Sequence, residues 1–411
     1  MAFEEKKRIS RGRNAVPPQY RRKRQGKKIT VIVAVSILLC GLLGLLVSYL
    51  LGWHGNDGTA AEPTTPPPDK VIHLVAGGNV NITDKTVAAG LSEGGYDYTE
   101  VFKDVLPVLS RGDVTILNFE GILSGSSYGT ATKAAPPELL DALARAGVDV
   151  LQTANSYSVF DGLRGLNATL QGIQSAGMTP LGTYATKGDF ERSGGYIIWD
   201  VQGIKVAMMA FTKGMEGGAG LPAENCVNLL YEDYTSTYQK VNKEGIVQVV
   251  RNAAAHNPDV MVALVHWGSE ASDQISKTQK QICTILQEEG VDAILGTHPR
   301  YVHKMEFQPE TGTFIAYSLG DFLRDWQADG TNYSALLDLE ITKDGVTGET
   351  KVTGFDYTPV YWDEDADGKL RLLRAKEAIA GYENRYLDRV SEATYNAMKT
   401  AVERLKSRIG K

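Results

Sequence analysis

Two stretches of this chain each end an apolar run on a histidine. Asp259–Glu270 reads Asp-Val-Met-Val-Ala-Leu-Val-His-Trp-Gly-Ser-Glu, and Val291–Gly296 leads into Thr297-His298-Pro299-Arg300. Imidazole is the side chain that moves protons near neutrality and most often ligates metals. Other polar groups follow other apolar runs: Asn79, then Asn118 and Glu120, then Asn155, and Asp321 after Tyr317-Ser318-Leu319-Gly320. In open α/β sheets, chemistry sits just beyond the carboxyl ends of the strands. Polar ends recurring in this way are expected to meet on one rim of one sheet. The plain alternatives are buried, hydrogen-bonded histidines, and turn caps at Glu120 and Asp321.

The elements that carry these groups are legible from periodicity. Val260–Val265 is six apolar residues without a break, which fits a strand buried on both faces. Strands and helices alternate over Lys70–Glu306, the pattern of a layered α/β domain with a mostly parallel centre. Helices are expected over Tyr98–Leu109, Pro137–Ala146, Leu163–Ala176, Tyr238–Ala255 and Ile275–Glu289. After Thr313 the strands follow one another without helices, so a second, antiparallel sheet is expected there. Glu377–Arg408 reads as one long charged helix with an apolar face. Asp363-Glu364-Asp365-Ala366-Asp367-Gly368 has the carboxylate spacing of half a calcium loop. Its twelfth position is Arg374, where such a loop needs Glu, so a hairpin turn is the better reading.

The first 69 residues have a different composition. Residues 1–28 carry eleven Lys or Arg against two Glu, although the 411-residue chain has a net charge of −6. Residues 29–51 contain no charge and are long enough to span a bilayer as a helix. The basic flank then sets topology, cytoplasmic side first, and nucleic-acid binding is not needed to explain it. Residues 52–69 are a Gly- and Pro-rich tether. The expected organisation is a basic cytoplasmic tail (1–28), a single transmembrane helix (29–51), a linker (52–69), an extracytoplasmic domain (70–362) and a C-terminal extension (363–411). There are three cysteines and no Cys/His zinc spacing; whether Cys226 and Cys283 pair is left open.

From Val71 to Phe322 the chain resembles the CapA (poly-γ-glutamate capsule biosynthesis) family, which is similar to the calcineurin-like metallophosphatases. The resemblance rests on Gly77-Gly78-Asn79, Asn118-Phe119-Glu120, Ala154-Asn155, His266-Trp267-Gly268-Ser269-Glu270, Gly296-Thr297-His298-Pro299 and Tyr317-Ser318-Leu319-Gly320-Asp321-Phe322. It implies a layered α/β/β/α sandwich. It also implies a metal site, for which Glu120, Asn155, His266 and His298 remain as ligands, with His266 and His298 as the catalytic imidazoles. Three departures stand out: Gly78 where the family has Asp, Tyr157 where it has His, and Arg300 where it has a second His. Two-ion phosphoesterase chemistry needs bridging carboxylates that hold ions about 3.5–4 Å apart. The reduced set leaves one divalent ion of the Mn, Fe or Zn kind, or none. Arg300, Glu270 and Asp321 become substrate-binding candidates, Arg300 as a fork for an anion. The implied role is in making, anchoring or exporting an anionic capsule polymer such as poly-γ-glutamate. Its partners would be the membrane, the polymer or its precursor, and a membrane synthase or export complex. An active metal-dependent phosphoesterase or amide hydrolase, and a non-enzymatic envelope scaffold, remain open beside it.

Overall fold

The computed structural model describes residues 66–411 apart from 271, 326–327, 366 and 386–389. The expected basic tail, the span 29–51 and the tether as far as residue 65 lie outside the described residues. Among the described residues, no helix is long and apolar enough to cross a membrane.

The strands in chain order are β1 (Lys70–Asn81), β2 (Leu91–Ser92), β3 (Gly95–Tyr96), β4 (Val114–Glu120), β5 (Val150–Gln152), β6 (Thr179–Leu181), β7 (Tyr196–Val201) and β8 (Ile204–Thr212). They continue with β9 (Val260–His266), β10 (Ala293–Thr297), β11 (Met305–Gln308), β12 (Thr313–Ala316), β13 (Asp321–Leu323), β14 (Tyr333–Lys343), β15 (Thr350–Glu364) and β16 (Leu370–Arg374). One sheet runs β16-β15-β14-β1-β4-β5-β6, with β13 also against β1. The other runs β11-β12-β10-β9-β8-β7. Their centres, β1-β4-β5-β6 and β8-β9-β10-β12, are parallel.

Side-chain alternation makes the layers. In β9, Val260, Val262 and Leu264 face the core between the sheets, while Met261, Ala263 and Val265 face a second core. The helices Lys243–Ala254 and Lys277–Glu288 cover that second core with Ile246, Val249, Ile282 and Leu286. Ser276 opens the latter helix with a capping box to Gln279. On the far side, Leu117, Phe119 and Leu151 pack under Leu139 and Leu143 of the helix Pro137–Arg145. The result is helices, sheet, sheet, helices, the layering implied by the resemblance.

Four aspartates lock the starts of the parallel strands. Asp113, Asp149, Asp259 and Asp292 each accept the backbone N–H of the neighbouring strand, from His73, Thr115, Lys205 and Met261, at 2.7–2.8 Å. Each returns its own N–H to the carbonyl of the same residue, at 2.8–2.9 Å. These clamps sit at the amino ends of the strands, away from the histidines.

Several expectations change. The strands after Thr313 do not form a separate antiparallel sheet. β12 joins the second sheet in parallel with β10, and β14, β15 and β16 extend the first sheet beside β1. The helix expected over Tyr98–Leu109 is two short ones, Thr99–Phe102 and Leu106–Leu109. Pro107 has no N–H to continue the first. The helix expected from Tyr238 begins at Lys243, where the Asn242 side chain caps it; Tyr238 itself has φ +54°. The long C-terminal helix is also two, Ala375–Glu383 and Glu392–Ile409. Arg385 turns left-handed at φ +59°, and Ser391 caps the second helix by accepting Thr394 N–H at 3.0 Å. The boundary expected at 362/363 falls inside β15, and Met398, Ala401 and Leu405 join the core between the sheets. The acidic run forms the β15–β16 turn, where Asp365 Oδ1 accepts from the Asp367 and Lys369 N–H groups.

Candidate functional site

The period of two that builds the inter-sheet core also builds the site. Val114 and Ile116 of β4 face that core, and the next residues on the same face are Asn118 and Glu120. Val206, Met208 and Ala210 of β8 lead to Thr212. Val260, Val262 and Leu264 of β9 lead to His266. In β1 the alternation would fail, because Ile72, Leu74 and Ala76 face the core and Asn79 has the wrong parity. A register shift against β4 between Ala76 and Asn79 corrects it and brings Asn79 opposite Asn118. The polar ends therefore meet as expected, but at the mouth between two sheets, not along one.

Glu120 and His266, both buried, are in direct contact at 3.0 Å, Oε1 to Nε2. Asn81 Nδ2 donates to Glu120 Oε2 at 2.5 Å and Asn118 Nδ2 to Oε1 at 3.2 Å. His298 follows β10 with φ +87°, a left-handed backbone unusual for a side-chain-bearing residue, and its N–H donates to Asn79 Oδ1 at 3.2 Å. Strained backbone held in this way clusters at functional sites. The two imidazoles stand 4.4 Å apart between centroids. Ligand atoms of Glu120, His266 and His298 all lie within 4.8 Å of one another.

A metal ion fits these residues by the chemistry and closeness of their donors. Thr212 Oγ1 lies 3.1 Å from both the Gly214 carbonyl and His266 Nδ1, and accepts the Gly214 N–H at 3.3 Å. With no ion bound, a proton on His266 Nε2 bonds to Glu120 Oε1. With the proton on Nδ1 instead, toward Thr212, Nε2 and the carboxylate oxygen are two donors for one cation. Burial lowers the His266 pKa, outweighing the Glu120 contact that raises it, so the imidazolium is disfavoured. Burial holds His298 well below the ordinary histidine range, with His266, Lys213 and Arg324 adding to the effect. Burial works to raise Glu120, but its bonds and charges from His266, Arg324 and Asn81 win and keep it ionised. Two neutral imidazoles and one carboxylate form a mixed N/O donor set of the kind that Mn, Fe or Zn takes.

The remaining candidates take different places. Asn155 donates to the Phe119 carbonyl at 2.6 Å and to Asn118 Oδ1 at 3.2 Å, and its Oδ1 accepts the Tyr157 N–H at 2.9 Å. Both ends of this amide tie loops together, and Oδ1, which accepts one N–H, keeps a second lone pair. Asp321 is fully buried at the start of β13 and accepts from Asn79 Nδ2 at 2.6 Å. Burial pushes its carboxyl up to about 7 against the pull of Arg324. Arg300 donates to Glu270 Oε1, and Arg324 Nη1 lies 3.7 Å from the same oxygen. At Gly78 a Cβ would fall inside the Gly320 carbonyl, so a carboxylate has no room there. Tyr157 packs edge-on to Phe160, with Lys133 Nζ 4.8 Å above its ring.

Sequence reasoning missed Asn81, Thr212, Lys213 and Arg324. Thr212 was within reach of the period-two rule applied past Ala210. Lys213 is the next residue; its Nζ donates to the Gly268 carbonyl at 2.9 Å and lies 3.3 Å from His298 Nε2. Arg324 carries no local signal. Cys226 and Cys283 are both free and buried.

Comparison with known proteins bears on this arrangement. Residues 73–326 match the family described as "Bacterial capsule synthesis protein PGA_cap". The PGA biosynthesis protein CapA of Bacillus subtilis is 28% identical over 361 residues, 86% of this chain and 88% of that protein. The capsule biosynthesis protein CapA of Bacillus anthracis is 26% identical over 261 residues, 61% of this chain and 59% of its own length. Among solved structures, a calcineurin-like phosphoesterase from Bacillus subtilis aligns over 84% of this chain and 100% of its own, with 14% identity and a TM-score of 0.43.

Proposed function

This chain belongs to the bacterial capsule synthesis protein family, and from that premise we propose that it handles an anionic envelope polymer, or its precursor, at the pocket around Glu120, His266 and His298. Those three side chains hold one divalent ion, Mn, Fe or Zn. Such an ion, when bound, supplies a Lewis acid and a bound water of lowered pKa. Gly78 and Tyr157 remove the ligands of a second ion, so the centre is a reduced one. Asn81 and Asn118 keep the Glu120 carboxylate oriented, and Thr212 holds the His266 ring through Nδ1. Arg300 presents its guanidinium to the anion. The observation that carries this reading is the convergence of Glu120, His266 and His298, whose ligand atoms all lie within 4.8 Å of one another.

The polymer class follows from the family and from the relatives' capsule roles; poly-γ-glutamate is the substrate we assign. Residues 29–51 anchor the chain in the cell membrane, with the N-terminus cytoplasmic and residues 70–411 outside. A membrane synthase or export complex is the partner. The anchor is tested by fractionation: the full chain should leave the membrane only with detergent, and release by salt alone would refute it.

Binding of poly-γ-glutamate to the purified full chain tests the pocket. Arg300→Ala should weaken binding by roughly tenfold, the loss of one charge-assisted contact. Equal binding by parent and variant would remove Arg300 from the reading. A second reading, a metal-dependent phosphoesterase or amide hydrolase, is favoured by the same three donors. Turnover of a phosphoester or γ-glutamyl substrate that disappears in His298→Ala selects it. A chain that neither binds nor turns over is a scaffold.

A further inference from the structure

The two arginines of the pocket share one carboxylate supplied by the chain itself. Arg300 sits in the loop after β10 with its side chain 14% exposed, and Arg324 follows β13 at 8%. Both face Oε1 of Glu270, which lies in the loop after β9 and is 51% exposed. Arg324 also faces Asp321 at 4.0 Å and Asp325 at 3.9 Å. Glu270 is thus the outermost of the carboxylates and the one in contact with water. The arginines are already largely desolvated, so a second carboxylate that takes the place of Glu270 meets little new desolvation cost there. Glu270 itself returns to water, where a carboxylate is well solvated.

We propose that Arg300 and Arg324 form a carboxylate-binding site in which Glu270 is a built-in occupant, displaced by a side-chain carboxylate of the incoming polymer. The inference rests on the anion-handling reading above and adds what is recognised and what competes with it. The site selects carboxylate because its resident group is one. A glutamate carboxylate on a flexible chain has the chemistry of Glu270 and reaches the same oxygen position. An internal occupant reduces apparent affinity by the fraction of time the site is open; occupancy nine-tenths of the time costs about tenfold. It also keeps two buried cations paired while no polymer is present.

The consequence has an unusual sign: removing a polar residue from the pocket strengthens binding. The test is calorimetric titration of the purified full chain with a γ-linked penta-glutamate, its fully amidated counterpart, and inorganic phosphate. Glu270→Gln and Glu270→Ala should each bind the penta-glutamate about tenfold tighter than the parent. Neither should gain for the amidated peptide, and Arg300→Gln placed on Glu270→Gln should abolish the gain. Glu270 is half-exposed on a loop, so its variants are expected to fold, and melting curves check this. Unchanged or weaker binding by both Glu270 variants, with the parent still binding, overturns the occupant and leaves the proposed function standing. A gain for phosphate without a gain for the penta-glutamate overturns the carboxylate assignment. No binding by the parent or by any variant overturns the inference together with the anion-handling reading beneath it.

Discussion

At the scale of single residues, the site is defined as much by what is excluded as by what is present. A carboxylate at position 78 is what a two-ion centre would require, yet a Cβ there collides with the Gly320 carbonyl. Gly78→Asp should therefore not restore a second ion. It should destabilise the chain by about 1–3 kcal/mol or more, read by chemical denaturation; a stable variant with two ions per chain would refute this. His266→Ala removes the partner of a buried carboxylate. It should cost about 1–3 kcal/mol, because a buried carboxylate loses one of its hydrogen-bond partners in a desolvated site. Both histidines and Glu120 were legible in the sequence as polar groups ending apolar runs. Asn155 was legible in position, but the loops its amide ties together were not, because only the coordinates show where its hydrogen bonds go. Arg324 was not legible, because nothing in Asp321-Phe322-Leu323-Arg324 states that the chain folds back over Glu270.

At the scale of elements, parity and clamps decide the geometry. The period of two was read from Val260–Val265, and it extends to Glu120 and His266. The β1 correction was not readable, because a register shift at Gly77-Gly78 depends on the neighbouring strand. The same dependence on neighbours explains the misplaced antiparallel sheet: β14 looks like a free hairpin strand until β1 offers its edge. The aspartate clamps show a cost of such positions. Burial pushes the Asp292 carboxyl from its ordinary 3.8 up to about 6, although it accepts the Met261 N–H at 2.8 Å. A carboxyl raised on folding contributes stability that is fully present below about pH 3.8 and is lost as pH rises through about 6. The difference corresponds to about 3 kcal/mol at high pH. Asp292→Asn keeps an acceptor for Met261 without the buried charge. The variant should gain roughly 1–2 kcal/mol over the parent at pH 8 and nothing at pH 4. Melting curves across that range check it, and a gain that does not vary with pH would contradict the account.

At the scale of the whole molecule, the extension after residue 362 is part of the sandwich. Leu405 is fully buried in the inter-sheet core although it lies near the chain's end. Leu405→Ala should cost about 2–5 kcal/mol, the ordinary range for a buried leucine; a loss under about 0.5 kcal/mol would mean that the helix Glu392–Ile409 is only draped on the surface. The fold class was legible from strand–helix alternation together with the family resemblance, whereas the length of that helix was obscured by Arg385, whose left-handed turn no periodicity reveals. The central claim is that one ion, not two, completes the mouth between the sheets. It is tested most directly by elemental analysis of the purified full chain after incubation with Mn, Fe or Zn and gel filtration. The account predicts about one ion per chain, lost in His266→Ala and in Glu120→Gln. Two ions per chain, or none under any of the three metals, would contradict it.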